Sequence, residues 1–312
     1  NAVESLSLNA AATTVASGAG LTVSYTASTG VLLITGTAST ATYQTILQGI
    51  LYNNTSDQPT TSNRSITVVA RDSTNASSTS RTATITVTAV NDASTITSLS
   101  GDSRAYSEGA GAVVIESGNA LVADVDSTNF DTGTLTVSIP AGGDSAEDVL
   151  SIRHQGSGAG QIGVSGSTIT YGGTTIGTFT GGSSGSHLAI TLNSSATPTA
   201  VTALVRNITY QNTDTTAPTT GARIVRFVLT DGDGGTSPNY DTTVTVSAVN
   251  DAPVLADTAL TLTVTEDAGV PSGAVGSVIS TFTGGITDVD SGASKGLAIT
   301  GSNQTNGTWY YT

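Results

Sequence analysis

The side chains best suited to bind a ligand are carboxylates and amides in two repeated patterns. Val-Asn-Asp-Ala occurs at 90–93 and again at 249–252, and an Asp-x-Asp triplet follows each copy, at 124–126 and 288–290. Two carboxylates spaced in this way in a loop can converge on one cation, and Ca²⁺ accepts roughly six to eight hard oxygen ligands in irregular geometry. The residues therefore favour calcium. The alternative, which stays open here, is that Asp and Asn only form turns by bonding their own backbone.

Sequence patterns that resemble catalytic motifs lack the structural context that catalysis needs. Gly-x-Ser-x-Gly at 181–185 precedes a strand-like run, whereas a nucleophile elbow leads into a helix. Gly-x-Gly-x-x-Gly at 158–163 opens no helix of a βαβ unit. His154 and His187 are the only histidines and Cys is absent, which argues against zinc and thiolate chemistry. We expect a protein that is not an enzyme.

The elements that must position the acidic residues are predicted to be strands. Thr, Ser, Gly, Ala and Val dominate, and alternating runs recur about every ten residues between Gly, Asn, Asp and Ser. This spacing predicts an all-β fold of sandwiches. Helical spacing appears in 39–50, where Tyr43, Ile46, Leu47 and Ile50 are apolar, and in its copy at 197–208. One short helix per repeat is therefore expected.

Self-comparison divides the chain into repeats of about 160 residues. Ile50, Tyr52 and Asn54 match Ile208, Tyr210 and Asn212, and the Asn-Asp-Ala sequences recur 159 residues apart. The segment 4–8 resembles 148–152 at a shorter offset, so the middle copy has about 14 extra residues, expected within 156–163 or 180–187. The predicted domains are the back part of one repeat (1–93), a whole repeat (94–253) and the front part of a third (254–312).

Composition restricts the partners and the location. The net charge is −14 and the nine Lys and Arg residues are scattered, so nucleic acid is not an expected partner. No apolar run approaches the ~20 residues of a membrane-spanning helix, so membrane insertion is not expected. The first residue is Asn and the sequence has no Met, which indicates an internal piece or a processed product.

The Asn-Asp-Ala-Pro junction, the Asp-x-Asp loops and the segment "TDGDGG" at 230–235 resemble the cadherin-like repeats of very large bacterial surface proteins. The resemblance covers essentially the whole chain and implies tandem Ig/cadherin-like β-sandwiches in an elongated rod, with Ca²⁺ at each domain boundary. The Asp-Arg-Glu triplet of cadherins is missing. Carried over by position, the implied ligands are Asn91, Asp92, Asp124, Asp126 and Asp231 at the first junction, and Asn250, Asp251, Asp288 and Asp290 at the second, with Glu108 reaching toward the second.

The function expected from these features is mechanical. The chain would be a non-enzymatic, calcium-stiffened rod segment of a secreted bacterial adhesin at the cell surface, and its partners would be neighbouring repeats of the same polypeptide. One alternative is an extracellular filament subunit, in which identical chains complement each other's half-repeats head to tail. The other is a carbohydrate-binding module for cell-surface glycans, for which Trp309, Tyr310 and Tyr311 are the candidate aromatic residues.

Overall fold

A computed structural model describes residues 3–256, 272, 285–301 and 305. The chain packs into two compact units. Unit 1 comprises Asn1–Ala93 with the short segments Asp124–Thr128 and Asp233–Gly235, and unit 2 comprises the rest. The expected repeat boundaries stay predictions. Much of the predicted third repeat, including the candidate aromatic residues Trp309, Tyr310 and Tyr311, lies outside the described residues.

Unit 1 consists of short strands and two helices. In chain order they are β1 (Glu4–Leu8), α1 (Ala10–Gly18), β2 (Thr22–Thr26), β3 (Val31–Thr35), α2 (Thr40–Gln48), β4 (Ile50–Asn54), β5 (Arg64–Val68) and β6 (Arg81–Ile85). The strands form three antiparallel pairs, β1 with β4, β2 with β3 and β5 with β6. Ala16, Leu21 and Ile46 form a small buried cluster beneath the helices.

Helix α1 corrects the expectation of one helix per repeat. Its sequence is rich in Ala, the strongest helix former. Asn9 caps it, because the Asn9 side chain accepts a hydrogen bond from the Ala12 N–H at 2.8 Å. Helix α2 starts in the same way at Ser39, whose side chain accepts from the Thr42 N–H at 3.1 Å. Periodicity predicts α2 but not α1, whose apolar residues are mostly too small to mark a face.

Unit 2 contains more and longer strands. Its first elements are β7 (Thr95–Thr97), β8 (Ser103–Ser107), β9 (Val113–Val114), β10 (Leu121–Ala123), β11 (Thr134–Ala141), β12 (Asp148–Ile152), β13 (Ile162–Ser165), β14 (Thr168–Tyr171), β15 (Thr174–Gly181) and β16 (Leu188–Leu192). The chain continues with α3 (Pro198–Val205), β17 (Ile208–Asn212), β18 (Gly221–Leu229), β19 (Tyr240–Ser247), β20 (Val254–Leu255) and β21 (Ile286–Thr287).

Two sheets of unit 2 contribute to one core. The larger sheet has the order β13-β14-β15-β16-β11-β18-β19-β8, and the smaller has the order β12-β17-β9. Leu135 and Phe227 from the larger sheet and Leu150 and Tyr210 from the smaller one belong to a single buried cluster. Strands β8 and β19 pair in parallel, and the other pairings among the described strands are antiparallel. The fold is therefore all-β, with three helices in the described chain.

The two units share an antiparallel strand pair in the same register. Glu4 lies opposite Asn54 in β1–β4, and Asp148 lies opposite Asn212 in β12–β17. Where unit 1 has helix α1 between β1 and β2, unit 2 has the hairpin β13–β14 between β12 and β15. Much of the extra length of the middle copy therefore forms this hairpin, which begins within the segment 156–163.

Candidate calcium-binding junctions

The first junction brings three of the predicted ligands together within unit 1. The backbone N–H of Asp92 donates to Asp126 Oδ2 at 3.0 Å. The Asp124 Oδ1 atom accepts from the N–H groups of Asp126, at 3.2 Å, and Ser127, at 2.9 Å. A fourth carboxylate is nearby, because the Ser127 hydroxyl donates to Asp233 Oδ2 at 3.3 Å. Asp233 was not among the predicted ligands, although it lies in the "TDGDGG" segment.

The second junction repeats this arrangement within unit 2. The Asp251 N–H donates to Asp290 Oδ2 at 2.7 Å, and the Asp290 N–H donates to Asp288 Oδ1 at 2.9 Å. The pairing of β20 with β21 brings these segments together, because Val254 lies opposite Thr287. In both junctions the Asp of Asn-Asp-Ala is thus bonded through its backbone to the second Asp of the Asp-x-Asp triplet.

Glu108 follows β8 and lies against the segment that leads from β19 into the second junction. Its N–H donates to the Ser247 carbonyl at 3.0 Å, and its Oε2 accepts from the Val249 N–H at 2.9 Å. The two contacts fix Glu108 against the residues just before Asp251. Asn250 donates through its side chain to the Asp251 carbonyl at 2.8 Å.

Several carboxylate oxygens at these junctions are buried without a hydrogen-bond partner. Among the described residues, five buried side-chain atoms are in this state, and four of them belong to predicted ligands: Glu108 Oε1, Asp124 Oδ2, Asp126 Oδ1 and Asp251 Oδ2. The fifth is Ser94 Oγ. A buried carboxylate oxygen without a donor is costly. A cation would supply the missing interaction, so these residues fit a hard divalent ion.

The surroundings of Asp124 also disfavour the charged form of its carboxyl group. Partial burial raises the pKa of the Asp124 carboxyl, and the neighbouring Asp126 raises it further, while hydrogen bonds from the Ser127 and Asp126 backbone act in the opposite direction. A bound cation would favour the charged form of both carboxylates.

The two remaining ligands predicted for the first junction are Asn91 and Asp231. Asp231 belongs to unit 2 and is fully buried, and Asn91 lies next to Asp92 in the chain. Their roles as ligands stay predictions. Within the described part of the chain, no group of three or more His, Cys, Asp or Glu side chains is preassembled around a metal position. Calcium at these junctions would therefore need backbone, amide or water oxygens beside the carboxylates, as it uses elsewhere.

A buried polar network in unit 2 was not predicted from the sequence. The Arg223 side chain, which is 1% exposed, pairs with Asp148, which is 3% exposed, at 3.3 Å. The Tyr210 hydroxyl donates to Asp148, and Asn212 donates to the same carboxylate at 3.4 Å. Burial raises the pKa of Tyr210 above its ordinary value, and the bond to Asp148 adds to this shift, so the phenol stays a donor.

Unit 1 has the equivalent network at the equivalent positions. Arg64 pairs with Glu4 at 2.6 Å, and Asn54 donates to the same Glu4 oxygen at 3.3 Å. The Asn54 side chain also lies 3.4 Å from the Tyr52 hydroxyl. Here Arg64 is 15% and Glu4 is 22% exposed. The recurrence of two arginines 159 residues apart is the signal in the sequence that could have revealed both networks.

The sequences that resemble catalytic motifs lie in hairpins or loops of strands. Gly181 ends β15, and the chain turns through the serine-rich loop directly into β16, without a helix. His154 Nδ1 accepts from the Val164 N–H at 2.9 Å, next to the start of the β13–β14 hairpin.

Comparison of the chain with protein-family models and with curated proteins gave no match. None of the helices in the described part of the chain has the length and apolar character that a membrane crossing requires.

Proposed function

We propose that this chain is a non-catalytic structural segment of a secreted adhesive surface protein, whose acidic junctions bind calcium and are stiffened by it. The observation that carries the proposal is the set of unpartnered buried carboxylate oxygens. They coincide with residues selected from the sequence as calcium ligands, in two junctions that have the same backbone hydrogen bonds.

The residues that would hold the ion differ in what they contribute. Asp124 and Asp126 would supply carboxylate oxygens at the first junction, and Asp251, Asp288 and Asp290 would do so at the second. Each Asp-x-Asp loop is already tied to its Asn-Asp segment, so little backbone ordering remains to be done when the ion binds. The ion would neutralise carboxylates that otherwise repel each other.

The mechanical role is supported by where the acidic residues lie in the chain. The loop that carries Asp124 and Asp126 and the segment that carries Asp92 are more than 30 residues apart in sequence. An ion bound to both would act as a crosslink between predicted repeats. Secretion to the cell surface fits this role, because calcium is abundant outside cells.

Thermal unfolding with calcium or with EGTA tests the proposal. A ligand that binds only the folded junction adds about 1.4 kcal/mol of stability at ten times its Kd. We expect a higher melting temperature in calcium than in EGTA, and a smaller effect of magnesium at the same concentration, since Mg²⁺ demands a stricter octahedral site. Equal melting temperatures in millimolar calcium and in EGTA would contradict the proposal.

A further inference from the structure

Unit 2 has a polar cleft in the interior of the chain. Its volume is about 520 Å³, within the roughly 300–1,000 Å³ of sites for small ligands. The lining comes from α3 and the two residues after it, from β9 and the loop that follows it, and from the chain around the β13–β14 hairpin. All of these residues lie between positions 114 and 207 and belong to unit 2. The cleft therefore has room for one small ligand.

Two arginines, Arg153 and Arg206, line this cleft. The ion pairs formed by described residues involve other arginines. Each of the two guanidinium groups is held through its Nε atom: Arg153 donates to Asn207 Oδ1 at 2.7 Å, and Arg206 donates to the Ala120 carbonyl at 2.7 Å. Their terminal nitrogens make no hydrogen bond to a described residue. The guanidinium groups are thus oriented by the protein and keep donors for a ligand.

The one carboxylate among the lining side chains, that of Glu116, is already bonded to the backbone. It accepts from the N–H groups of Gly118 at 2.6 Å, Asn119 at 2.7 Å and Ala120, and Glu116 is buried. The charged lining therefore has two cations and one anion whose oxygens are occupied. This excess of positive charge, in a chain with a net charge of −14, favours an anionic ligand.

The arginines are not required by the strand pair that they flank. Arg153 follows β12, and its backbone N–H donates at 2.8 Å to the carbonyl of the residue just before β17. In unit 1, Asn9 follows β1, and its N–H donates at 2.8 Å to the carbonyl of the residue just before β4. Unit 1 also has Gln48 where unit 2 has Arg206. The shared backbone contact forms without either arginine, so the fold alone does not account for them.

Neutral hydrogen-bonding groups complete the lining. Gln155 Oε1 accepts from the Ile162 N–H at 3.0 Å, and its Nε2 atom makes no hydrogen bond to a described residue. The hydroxyl groups of Tyr171 and Thr199, which also line the cleft, are likewise without a partner among the described residues. Amide and hydroxyl groups can donate to and accept from the hydroxyl groups of a sugar.

We propose that this cleft binds a sugar acid, a saccharide unit that carries a carboxylate group beside its hydroxyl groups. The carboxylate would accept hydrogen bonds from the terminal nitrogens of Arg153 and Arg206, since the planar guanidinium fork matches a carboxylate. Gln155, Thr199 and Tyr171 would bond the sugar hydroxyl groups. The site uses none of the predicted calcium ligands, so it does not rest on the calcium proposal.

The test titrates the isotopically labelled full chain with galacturonate in calcium-free buffer and follows the arginine Nε–H signals by NMR. The signals of Arg153 and Arg206, assigned with the single variants R153Q and R206Q, should shift and saturate. Two matched probes separate the parts of the ligand. The methyl ester of galacturonate keeps the hydroxyl groups without the charge, and acetate keeps the carboxylate without the hydroxyl groups. Each should bind at least about tenfold more weakly than galacturonate.

A charge-matched pair of variants tests the two arginines. R153Q/R206Q should bind galacturonate at least about tenfold more weakly, measured from backbone amide signals. R81Q/R104Q removes the same charge from exposed arginines outside the cleft and should bind like the wild type. The comparison of the three probes on the wild type needs no substitution, so it decides the question even if R153Q/R206Q unfolds. The proposal is overturned if galacturonate does not bind, if the ester or acetate binds equally well, or if folded R153Q/R206Q binds unchanged.

Discussion

At the scale of single residues, each unit brings an acid, an arginine and an amide into contact at the end of a strand pair, but the two sites differ in how deeply these groups are buried. In unit 2 the pair of Arg223 and Asp148 is almost completely withdrawn from water, whereas Arg64 and Glu4 in unit 1 keep part of their hydration. Removing one partner of a buried pair leaves an uncompensated charge, which costs more than the pair itself contributes.

The substitution R223M should therefore destabilise unit 2 strongly. The variant leaves the Asp148 carboxylate buried with Tyr210, Asn212 and the Asp144 N–H as its remaining partners. We expect a loss of about 3–5 kcal/mol in the free energy of unfolding. Denaturant unfolding followed by circular dichroism measures this loss.

The matched control is R64M, which changes the equivalent position in unit 1. Because Arg64 and Glu4 are partly exposed and solvent screens their attraction, we expect a clearly smaller loss than for R223M. Equal losses for the two variants would show that burial does not determine the strength of these networks.

At the scale of elements, alternation and periodicity predict strands and two of the helices but leave the connections undetermined. Helices α2 and α3 follow from their apolar spacing and their Ser39 and Thr197 caps. Helix α1 escapes prediction because Ala and Thr mark no clear apolar face. Alternation at 167–173 predicts β14, whereas β13 escapes prediction because it is short and follows a Gly-rich loop.

The candidate site is predictable for a different reason. The Asn-Asp and Asp-x-Asp patterns recur, so the convergence of Asp92 with Asp126 and of Asp251 with Asp290 can be expected from residue type and spacing alone. The contact of Asp233 with Ser127 depends on loop conformation, and the pairing of Arg223 with Asp148 depends on strand register. Residue types alone determine neither the loop conformation nor the register, so these contacts cannot be predicted from the sequence.

Gly142, which follows β11, lies very close to the backbone of the neighbouring strand β18. Gly142 has φ +74°, and the register of β11 with β18 shifts between Ser138 and Ala141, just before it. A Cβ added at this position would overlap the carbonyl oxygen of Ala222. We expect G142A to destabilise unit 2 by about 1–3 kcal/mol more than strain at positive φ alone, because this neighbour is backbone and cannot move aside.

The control is G166A in the turn between β13 and β14. Gly166 also has a positive φ, of +57°, but a Cβ there would meet nothing within 4 Å. The expected cost is about 1 kcal/mol, from backbone strain alone. Thermal melting of both variants compares the two effects, and an equal shift would show that the contact with Ala222 is unimportant.

At the scale of the whole molecule, this sequence has few residues that could form stabilising covalent crosslinks. It has no Cys, and its only Lys is Lys295. The Lys295 ammonium donates to the Ile286 carbonyl at 2.8 Å, beside the second junction. Packing, buried ion pairs and bound cations are the means that remain for strengthening such a chain.

We accordingly expect no isopeptide crosslink, a bond that would join a Lys amine to an Asn or Asp side chain. Intact-mass spectrometry of the purified chain should give the mass calculated from the sequence. A deficit equal to one ammonia or one water per molecule would disprove this expectation.

Calcium binding at the junctions is the central claim, and calorimetric titration with calcium tests it most directly. The wild-type chain should bind calcium. The double variant D124N/D126N should lose the first junction's share and D288N/D290N the second's, because the amide keeps the shape but not the charge. The control D214N should bind like the wild type, since the Asp214 side chain caps its own loop through the N–H groups of Thr216 and Ala217. Absence of binding at millimolar calcium, or unchanged binding in both double variants, would contradict the account.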